Sequence, residues 1–325
     1  MRAATPTLAA IGALLLSTSV SAQPPALPSG SQFVTLGTMG GPVPDGQRSQ
    51  PANAIIRGDR VYLVDSGDGT VEQLGRIGVP LVKVRAVFLS HLHVDHVGGL
   101  SAILGLRNQT EARNVLTVYG PPGTKEMVAG LVASLQPSAK AGYGIPGKPW
   151  PAPESLVTVV ELADGQSLMV DDFRVRVAQN THYDFPAGTP EDQAYKSFSY
   201  RFDLPDRSIV YTGDTGPSPR VEQLARGADL LVSEMIDIDA TLGRVAQVSP
   251  NMPAPVKATM TQHLTTHHLT PEAVGQLAAK AGVKAVVVTH LAGGAPDRTR
   301  LQTYRATIHR YFNGPVTIAS DLDRF

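Results

Sequence analysis

The sequence contains no cysteine, one tryptophan and only 6% aromatic residues. The lack of cysteine excludes disulfide bonds and thiolate metal sites, so every protein ligand of a metal must be histidine, aspartate or glutamate. It also excludes a cysteine nucleophile. The 325 residues, 42% of them hydrophobic, are enough for one large globular domain.

An excess of charge of either sign is also absent, because 28 basic residues balance 28 acidic ones. Nucleic-acid-binding proteins and membrane-surface proteins commonly have a strongly basic face. The overall balance therefore argues against nucleic acid as a partner, although a local basic patch stays open.

Long apolar runs are missing as well, since a membrane span needs about 20 such residues. One short apolar run, residues 8–16, follows Arg2 and precedes the small residues Val20-Ser21-Ala22. This order is typical of a cleaved signal peptide. We predict a signal peptide over residues 1–22, a flexible lead-in over 23–32 and one large domain over 33–325. The mature protein is then expected to be periplasmic or secreted, without a membrane anchor.

What the sequence does contain is a dense group of metal-binding residue types directly after the apolar strand predicted at residues 86–89. Four such residues lie within six positions: His91, His93, Asp95 and His96. His91 and His93 are two residues apart, so an extended chain points both side chains to the same side. Imidazole and carboxylate suit zinc, and also iron or manganese. We predict a metal centre here, with Gly98 and Gly99 supplying backbone freedom for a tight turn.

Other candidate ligands also follow predicted strands. Asp214 comes after the strand at residues 208–211, and its two carboxylate oxygens could bridge two cations about 3.5–4 Å apart. His290 ends the apolar strand at 284–288, and His182 follows the alternating strand at 173–178.

The region around His268 predicts a helix. Thr270 is a suitable N-cap, Pro271 suits the first helical position, and Gly282 suits the end. Two segments are predicted to be irregular: residues 136–155 as a surface loop, and residues 237–262 as a lid or entrance loop. His263 and His267 are interpreted as surface or entrance residues without an assigned role. Met252 and Met260 could line a pocket, but core packing is favoured for both.

The stretch Ser90–Gly99 resembles the signature of the metallo-β-lactamase fold superfamily. The sequences LGTMGGP at 36–42, DSGDGT at 65–70 and YGP at 119–121 resemble its ribonuclease Z and arylsulfatase-like branch. The resemblance implies an α/β fold, the four-layer αββα sandwich, with the site along one edge.

The resemblance also implies roles for individual residues. One metal would be held by His91, His93 and His182, the other by Asp95, His96 and His290, with Asp214 as the bridge. Asp65 would lie beneath the metals and orient their ligands, although an ordinary turn aspartate remains the alternative. Glu234 and His268 would together protonate the leaving group, while Asp95 could also accept the proton of the attacking water.

The implied enzyme is an exported hydrolase with two divalent metal ions, zinc by preference, whose bridging hydroxide attacks a phosphodiester or aryl sulfate. In the ribonuclease Z branch an inserted arm grips transfer RNA, but residues 136–155 here carry only Lys140 and Lys148 as basic residues. A small-molecule ester is therefore the expected substrate, and a homodimer stays open. The alternatives are a lactone, carboxylic ester or β-lactam hydrolase on the same site, or a metal-binding pseudoenzyme.

Overall fold

A computed structural model describes Met1 and residues 30–325. The predicted signal peptide and most of the lead-in lie outside these residues. The first strand begins at Ser31, two residues before the predicted domain boundary. Among the helices that the structure describes, none combines the length and the apolar character required to cross a bilayer.

Two β-sheets form the centre of the fold. The first has six strands in the order β1-β3-β4-β5-β6-β7, antiparallel from β1 to β4 and parallel from β4 to β7. Its strands, with β2 from the second sheet, are β1 (Ser31–Gly37), β2 (Met39–Gly40), β3 (Ala52–Arg57), β4 (Arg60–Ser66), β5 (Val84–Phe88), β6 (Leu116–Gly120) and β7 (Val157–Glu161).

The second sheet has the order β14-β13-β12-β11-β10-β9-β8, and β2 pairs with β13. It is parallel from β14 to β11 and antiparallel from β11 to β8, which repeats the division of the first sheet. Its remaining strands are β8 (Ser167–Val170), β9 (Phe173–Gln179), β10 (Phe198–Asp203), β11 (Ser208–Tyr211), β12 (Leu230–Ile236), β13 (Val286–Ala292) and β14 (Val316–Ile318).

Six of the ten described α-helices cover the outer faces of the two sheets. In chain order the ten helices are α1 (Thr70–Arg76), α2 (Val94–Val97), α3 (Leu100–Gln109), α4 (Thr124–Ala141), α5 (Pro190–Ala194), α6 (Pro219–Ala225), α7 (Ile238–Val248), α8 (Ala254–Thr266), α9 (Pro271–Ala281) and α10 (Arg298–Ile308). The predicted helix after His268 is confirmed as α9, with Thr270 accepting a hydrogen bond from the Ala273 amide and Gly282 in the left-handed region at φ 63°.

Three groups of buried side chains separate the layers. Aromatic residues such as Phe33, Phe88 and Phe202 fill the space between the sheets. Apolar side chains of α1, α3 and α4 pack on the first sheet, and those of α6, α9 and α10 pack on the second. The predicted αββα sandwich is therefore confirmed.

Two predictions of irregular structure are wrong. Residues 237–262 form α7 and most of α8, and α4 continues through Pro137 to Ala141 inside the predicted loop 136–155. Periodicity did not reveal α7 and α8 because the structure buries no side chain of either helix completely. Sequence patterns detect helices mainly through a buried apolar stripe.

Contrary to the prediction, Gly98 and Gly99 do not supply backbone freedom for a tight turn. Both residues have ordinary helical backbone angles, with φ −57° and −80°. A Cβ atom on Gly99 would instead lie 2.3 Å from the carbonyl oxygen of Gly67. Close packing of two backbone segments, not an unusual turn, therefore requires glycine at position 99.

Candidate metal centre

The candidate residues of both sheets meet at one edge, where the strands end. They are Asp65 near the end of β4, His91 and His93 after β5, Asp95 and His96 in α2, His182 after β9, Asp214 after β11, Glu234 in β12 and His290 in β13. Every residue predicted for the metal centre is thus brought to the same place.

The first predicted triad is His91, His93 and His182, which we call triad 1. Its ring nitrogens converge, with 3.0 Å between His91 Nε2 and His93 Nδ1 and 3.2 Å between His182 Nε2 and His93 Nδ1. Two nitrogen ligands of one tetrahedral zinc ion lie about 3.3 Å apart when each bond is about 2.0–2.1 Å. The spacing therefore fits one metal ion.

The second predicted triad is Asp95, His96 and His290, which we call triad 2. Asp95 Oδ2 lies 3.7 Å from His96 Nε2 and 3.8 Å from His290 Nε2. All three residues are buried, whereas His93 of triad 1 is exposed. These atoms surround a second point able to hold a cation.

Asp214 lies between the triads. Its Oδ1 is 3.2 Å from His290 Nε2, and its Oδ2 is 3.4 Å from His96 Nε2 and 4.0 Å from the Nε2 atoms of His91 and His182. Gly213 permits this approach, because a Cβ there would lie 2.8 Å from Ser90 Cβ and φ is 57°. One carboxylate thus faces both triads, as a bridging ligand must.

Asp65 holds His96 in place. Its Oδ2 lies 2.8 Å from His96 Nδ1 and accepts hydrogen bonds from the hydroxyls of Ser90 and Tyr211, while its Oδ1 accepts one from the Ser90 amide. These contacts support the interpretation in which Asp65 orients a metal ligand. Its φ of 58° is left-handed, a region in which aspartate is tolerated.

Two other histidines are supported in the same manner. His91 Nδ1 lies 3.0 Å from Ser90 Oγ, and His182 Nδ1 lies 3.3 Å from the carbonyl oxygen of His267. Metal-binding histidines usually donate their second ring N–H to such a group. His290 Nδ1 makes no hydrogen bond among the described residues, and Glu234 Oε2 lies 3.9 Å from it.

Unpaired atoms test whether metal ions fit here. His96 Nε2, Asp214 Oδ1 and His290 Nε2 are buried without a hydrogen bond among the described residues, although the last two lie only 3.2 Å apart. A buried polar atom without a partner costs free energy. All three atoms face the space between the triads, so the residues present fit a pair of cations.

Protonation agrees with this fit. Burial lowers the pKa of His91 and of His182 well below the ordinary value, which keeps both imidazoles neutral, the form that binds metal. Burial would also lower the pKa of His96, but Asp214 and Asp65 raise it well above its ordinary value. The carboxylates around triad 2 thus favour a positive charge at that position.

Glu234 and His268 form the predicted pair beside the metal centre. The His268 Nδ1 atom lies 3.1 and 3.0 Å from the two carboxylate oxygens of Glu234, which is buried. Burial acts to lower the pKa of His268, yet the Glu234 carboxylate overcomes it and raises the pKa to about 9. At neutral pH the imidazole is therefore protonated.

A cavity of about 500 Å³ opens over the two triads and is roofed by α7 and α8. Its lining includes Arg244, Met260 and His263, none of which was predicted as a site residue. His263 lies with its ring 5.0 Å from that of His182 and 5.4 Å from that of His268. Burial lowers the pKa of His263 to about 4, so this ring is neutral. Met260 lines the cavity and not the core, which corrects its predicted role.

The fold and the clustered ligands define a metal-dependent hydrolase. The family described as "Beta-lactamase superfamily domain" matches residues 60–291. Ribonuclease Z of Mycobacterium avium (strain 104) is 31% identical over 298 residues, which cover 90% of this chain and 96% of that protein.

Two solved structures share the fold. The metallo-beta-lactamase fold protein YhfI from Bacillus subtilis gives a TM-score of 0.64 at 20% identity, covering 91% of this chain and 98% of its own. The short form of human tRNase Z gives 0.60 at 18% identity, covering 90% and 98%. The chain therefore belongs to the beta-lactamase superfamily, in its ribonuclease Z branch, whose members depend on divalent metal ions.

These relatives contradict one prediction. A small-molecule ester was expected as the partner, and nucleic acid was not, but three relatives that match over 96% or more of their own length are ribonuclease Z proteins. The expectation depended on overall charge and on a short basic insert. Neither property measures what a metal-centred cavity accepts, so this prediction is wrong.

Proposed function

We propose that the protein is a two-metal phosphodiesterase that cleaves RNA. The observation that carries the proposal is the Glu234–His268 pair on the rim of the cavity beside both triads. A ribose oxygen is a poor leaving group and needs a proton as it departs. A protonated imidazole beside the metal centre meets that need, and the relationship to ribonuclease Z supports RNA as the source of the phosphodiester.

The seven predicted ligands hold the metals in this proposal. His91, His93 and His182 bind one ion, Asp95, His96 and His290 bind the other, and Asp214 binds both. When bound, the two ions would supply Lewis acidity for a water nucleophile and for the scissile phosphate. We propose zinc, because neutral imidazole and carboxylate ligands suit it, with iron or manganese as alternatives.

The protein groups then divide the proton transfers. Burial acts to raise the pKa of Asp95, but His96 and His290 help to lower it below the usual value, so its carboxylate is ionised and can accept the proton of the attacking water. His268 donates its proton to the departing ribose oxygen, and Glu234 stabilises the imidazolium. Glu234 Oε1 is itself fixed by the backbone amides of Thr215 and Leu269.

A panel of esters tests the proposal. The substrates are an RNA hairpin with a 3′ single-stranded trailer, bis(p-nitrophenyl) phosphate and p-nitrophenyl sulfate. Each is assayed with the metal-loaded protein and with the protein after chelation. We expect metal-dependent cleavage of the RNA and the phosphodiester. Turnover of the sulfate alone would contradict the proposal, and cleavage that persists after complete metal removal would contradict the two-metal mechanism.

We also propose export directed by residues 1–22, which the sequence order of Arg2, the apolar run and Val20-Ser21-Ala22 supports. N-terminal sequencing of the protein from periplasmic and culture fractions tests it. A mature chain beginning at Gln23 is the expected result, and an intact chain confined to the cytoplasmic fraction would contradict it.

A further inference from the structure

Three aromatic side chains form a continuous row that starts at the metal centre, and we call Tyr183, Phe185 and Tyr195 the aromatic track. The Tyr183 ring lies 5.4 Å from the ring of His93 and 5.2 Å from that of His182. From there the track runs outward, with 5.9 Å from Tyr183 to Phe185 and 5.8 Å from Phe185 to Tyr195.

The outer two rings are open to solvent. Phe185 is 38% exposed and Tyr195 is 57% exposed, in a chain that is only 6% aromatic. Neither belongs to the three groups of buried apolar residues that hold the layers together. Successive rings are tilted by 54° and 43°, so they do not cover each other's faces. Core packing therefore does not account for the two exposed rings.

The charges beside the track are not those of a phosphate-binding groove. Lys196 Nζ bonds to Asp192 Oδ1 at 2.6 Å, and the Asp184 side chain is 80% exposed. A polyanion backbone gains little from such a surface. Aromatic rings can instead stack on nucleobases, which requires no positive charge and little sequence preference.

We infer that the aromatic track binds successive bases of the single-stranded part of an RNA whose scissile phosphate lies at the metal centre. This inference rests on the proposed function. The continuity of the rings with His93 and His182 places the track where a strand leaving the metal centre would run. Single-stranded RNA is commonly bound through unstacked bases on aromatic side chains.

The test compares Phe185→Ala and Tyr195→Ala with controls of equal exposure elsewhere on the surface. Tyr311 is 42% exposed and Tyr143 is 59% exposed, so Tyr311→Ala and Tyr143→Ala match them. The substrates are the RNA hairpin with a 3′ or 5′ single-stranded extension, the same hairpin without either, and bis(p-nitrophenyl) phosphate, which is too small to reach the outer rings.

We expect each track variant to raise KM about fivefold to tenfold for RNA with one of the two extensions, the lower part of the range for a lost base–aromatic stack. The controls, the blunt hairpin and bis(p-nitrophenyl) phosphate should show unchanged KM, and kcat should change little. Thermal melting and metal content identify any variant that fails to fold. Phe185→Trp keeps a stacking face and should therefore retain the wild-type KM. Phe185→Leu has no such face and should raise KM as Phe185→Ala does.

The outcomes separate the two proposals. If the wild-type protein cleaves bis(p-nitrophenyl) phosphate but no RNA, the proposed function fails and the track with it. If it cleaves RNA and the track variants match the controls, only the track is overturned. A wild-type KM for Phe185→Leu would also overturn it. An apolar contact would then explain the surface, such as one with a peptide or with a second copy of the chain.

Discussion

Triad 1 and triad 2 lie side by side but differ in charge and exposure. In triad 1 the second ring nitrogens of His91 and His182 face neutral groups, the Ser90 hydroxyl and the His267 carbonyl. Those in triad 2 face the carboxylates of Asp65 and Glu234. Triad 1 also includes an exposed histidine and lies beside the aromatic track, whereas triad 2 is buried.

This difference indicates a division of work between two similar positions. Negative charge behind a ligand increases its affinity for a cation, and burial slows exchange with solvent. We therefore expect the metal of triad 2 to be held more tightly and the metal of triad 1 to exchange first. The more exposed position faces the cavity, and the His268 ring lies 5.0 Å from that of His182 in triad 1 and 6.2 Å from that of His290 in triad 2.

The largest effect is expected from Asp214→Ala, because this residue serves both triads. Loss of several kcal/mol of charge stabilisation corresponds to about 10⁴-fold lower kcat/KM, and metal content should fall below two per chain. Elemental analysis and turnover measure both. Asp229→Ala is the control, since Asp229 accepts its hydrogen bonds from Ser208 at the other end of β11. If Asp214→Ala retained two metals per chain, the bridging role of Asp214 would be contradicted.

His93→Ala and His290→Ala separate the triads directly. Each should lower activity about 10³-fold, because either ion alone loses several kcal/mol of transition-state stabilisation. We expect His93→Ala to keep one tightly held metal, and His290→Ala to keep one that chelators remove quickly. The time course of metal release measures this. Equal rates of metal release from the two variants would contradict the proposed difference in metal affinity between the triads.

His268→Ala should affect chemistry and leave both metals in place. Loss of a general acid lowers kcat by about 10² to 10³-fold for RNA, where the leaving ribose oxygen needs a proton. For bis(p-nitrophenyl) phosphate the loss should be much smaller, since p-nitrophenolate departs without one. An equal loss on both substrates would contradict the acid role, and loss of metal would make His268 a ligand.

Asp65→Asn tests the support behind triad 2. Asparagine tolerates the left-handed backbone at this position, so the change removes charge with little strain. Removal of such an outer partner typically costs about 10- to 100-fold in metal affinity or activity. Competition with a chelator should show weaker binding chiefly of the tight metal, because Asp65 contacts His96 directly but reaches His91 only through Ser90. Weakening confined to the other metal would reverse the assignment.

The smallest effect is expected from His263→Ala on the triad 1 side. His263 faces the cavity and holds no predicted metal ion, so we expect KM for RNA to rise less than tenfold through loss of one polar contact. Metal content should stay at two. A fall in metal content would show that this histidine is a ligand and that triad 1 is larger than proposed.

The sequence predicted the metal centre better than its surroundings. His91, His182 and Asp214 each follow an apolar strand, and His290 lies within one, so the ends of neighbouring strands bring them to one edge. That local signal and the family resemblance together pointed to the candidate ligands. Residues that line the cavity from α8, such as His263, were assigned no role because this helix has no completely buried side chain.

The aromatic track was equally hidden from sequence reasoning. Phe185 and Tyr195 are ten residues apart, in a segment containing only the short helix α5, and their proximity depends on how that segment folds. The expectation of a small-molecule partner failed for a related reason, whereas the predicted phosphodiester chemistry is confirmed. Net charge and insert length describe the whole chain, whereas substrate binding depends on a few side chains around one cavity.

Stepwise metal removal from the wild-type protein tests the central claim most directly. The fully loaded protein would be exposed to a chelator, and metal content would be measured over time alongside cleavage of RNA. We expect two metal ions per chain that leave in two phases, with activity lost in the first phase. One metal per chain, or two that leave together, would contradict the account of two unequal positions.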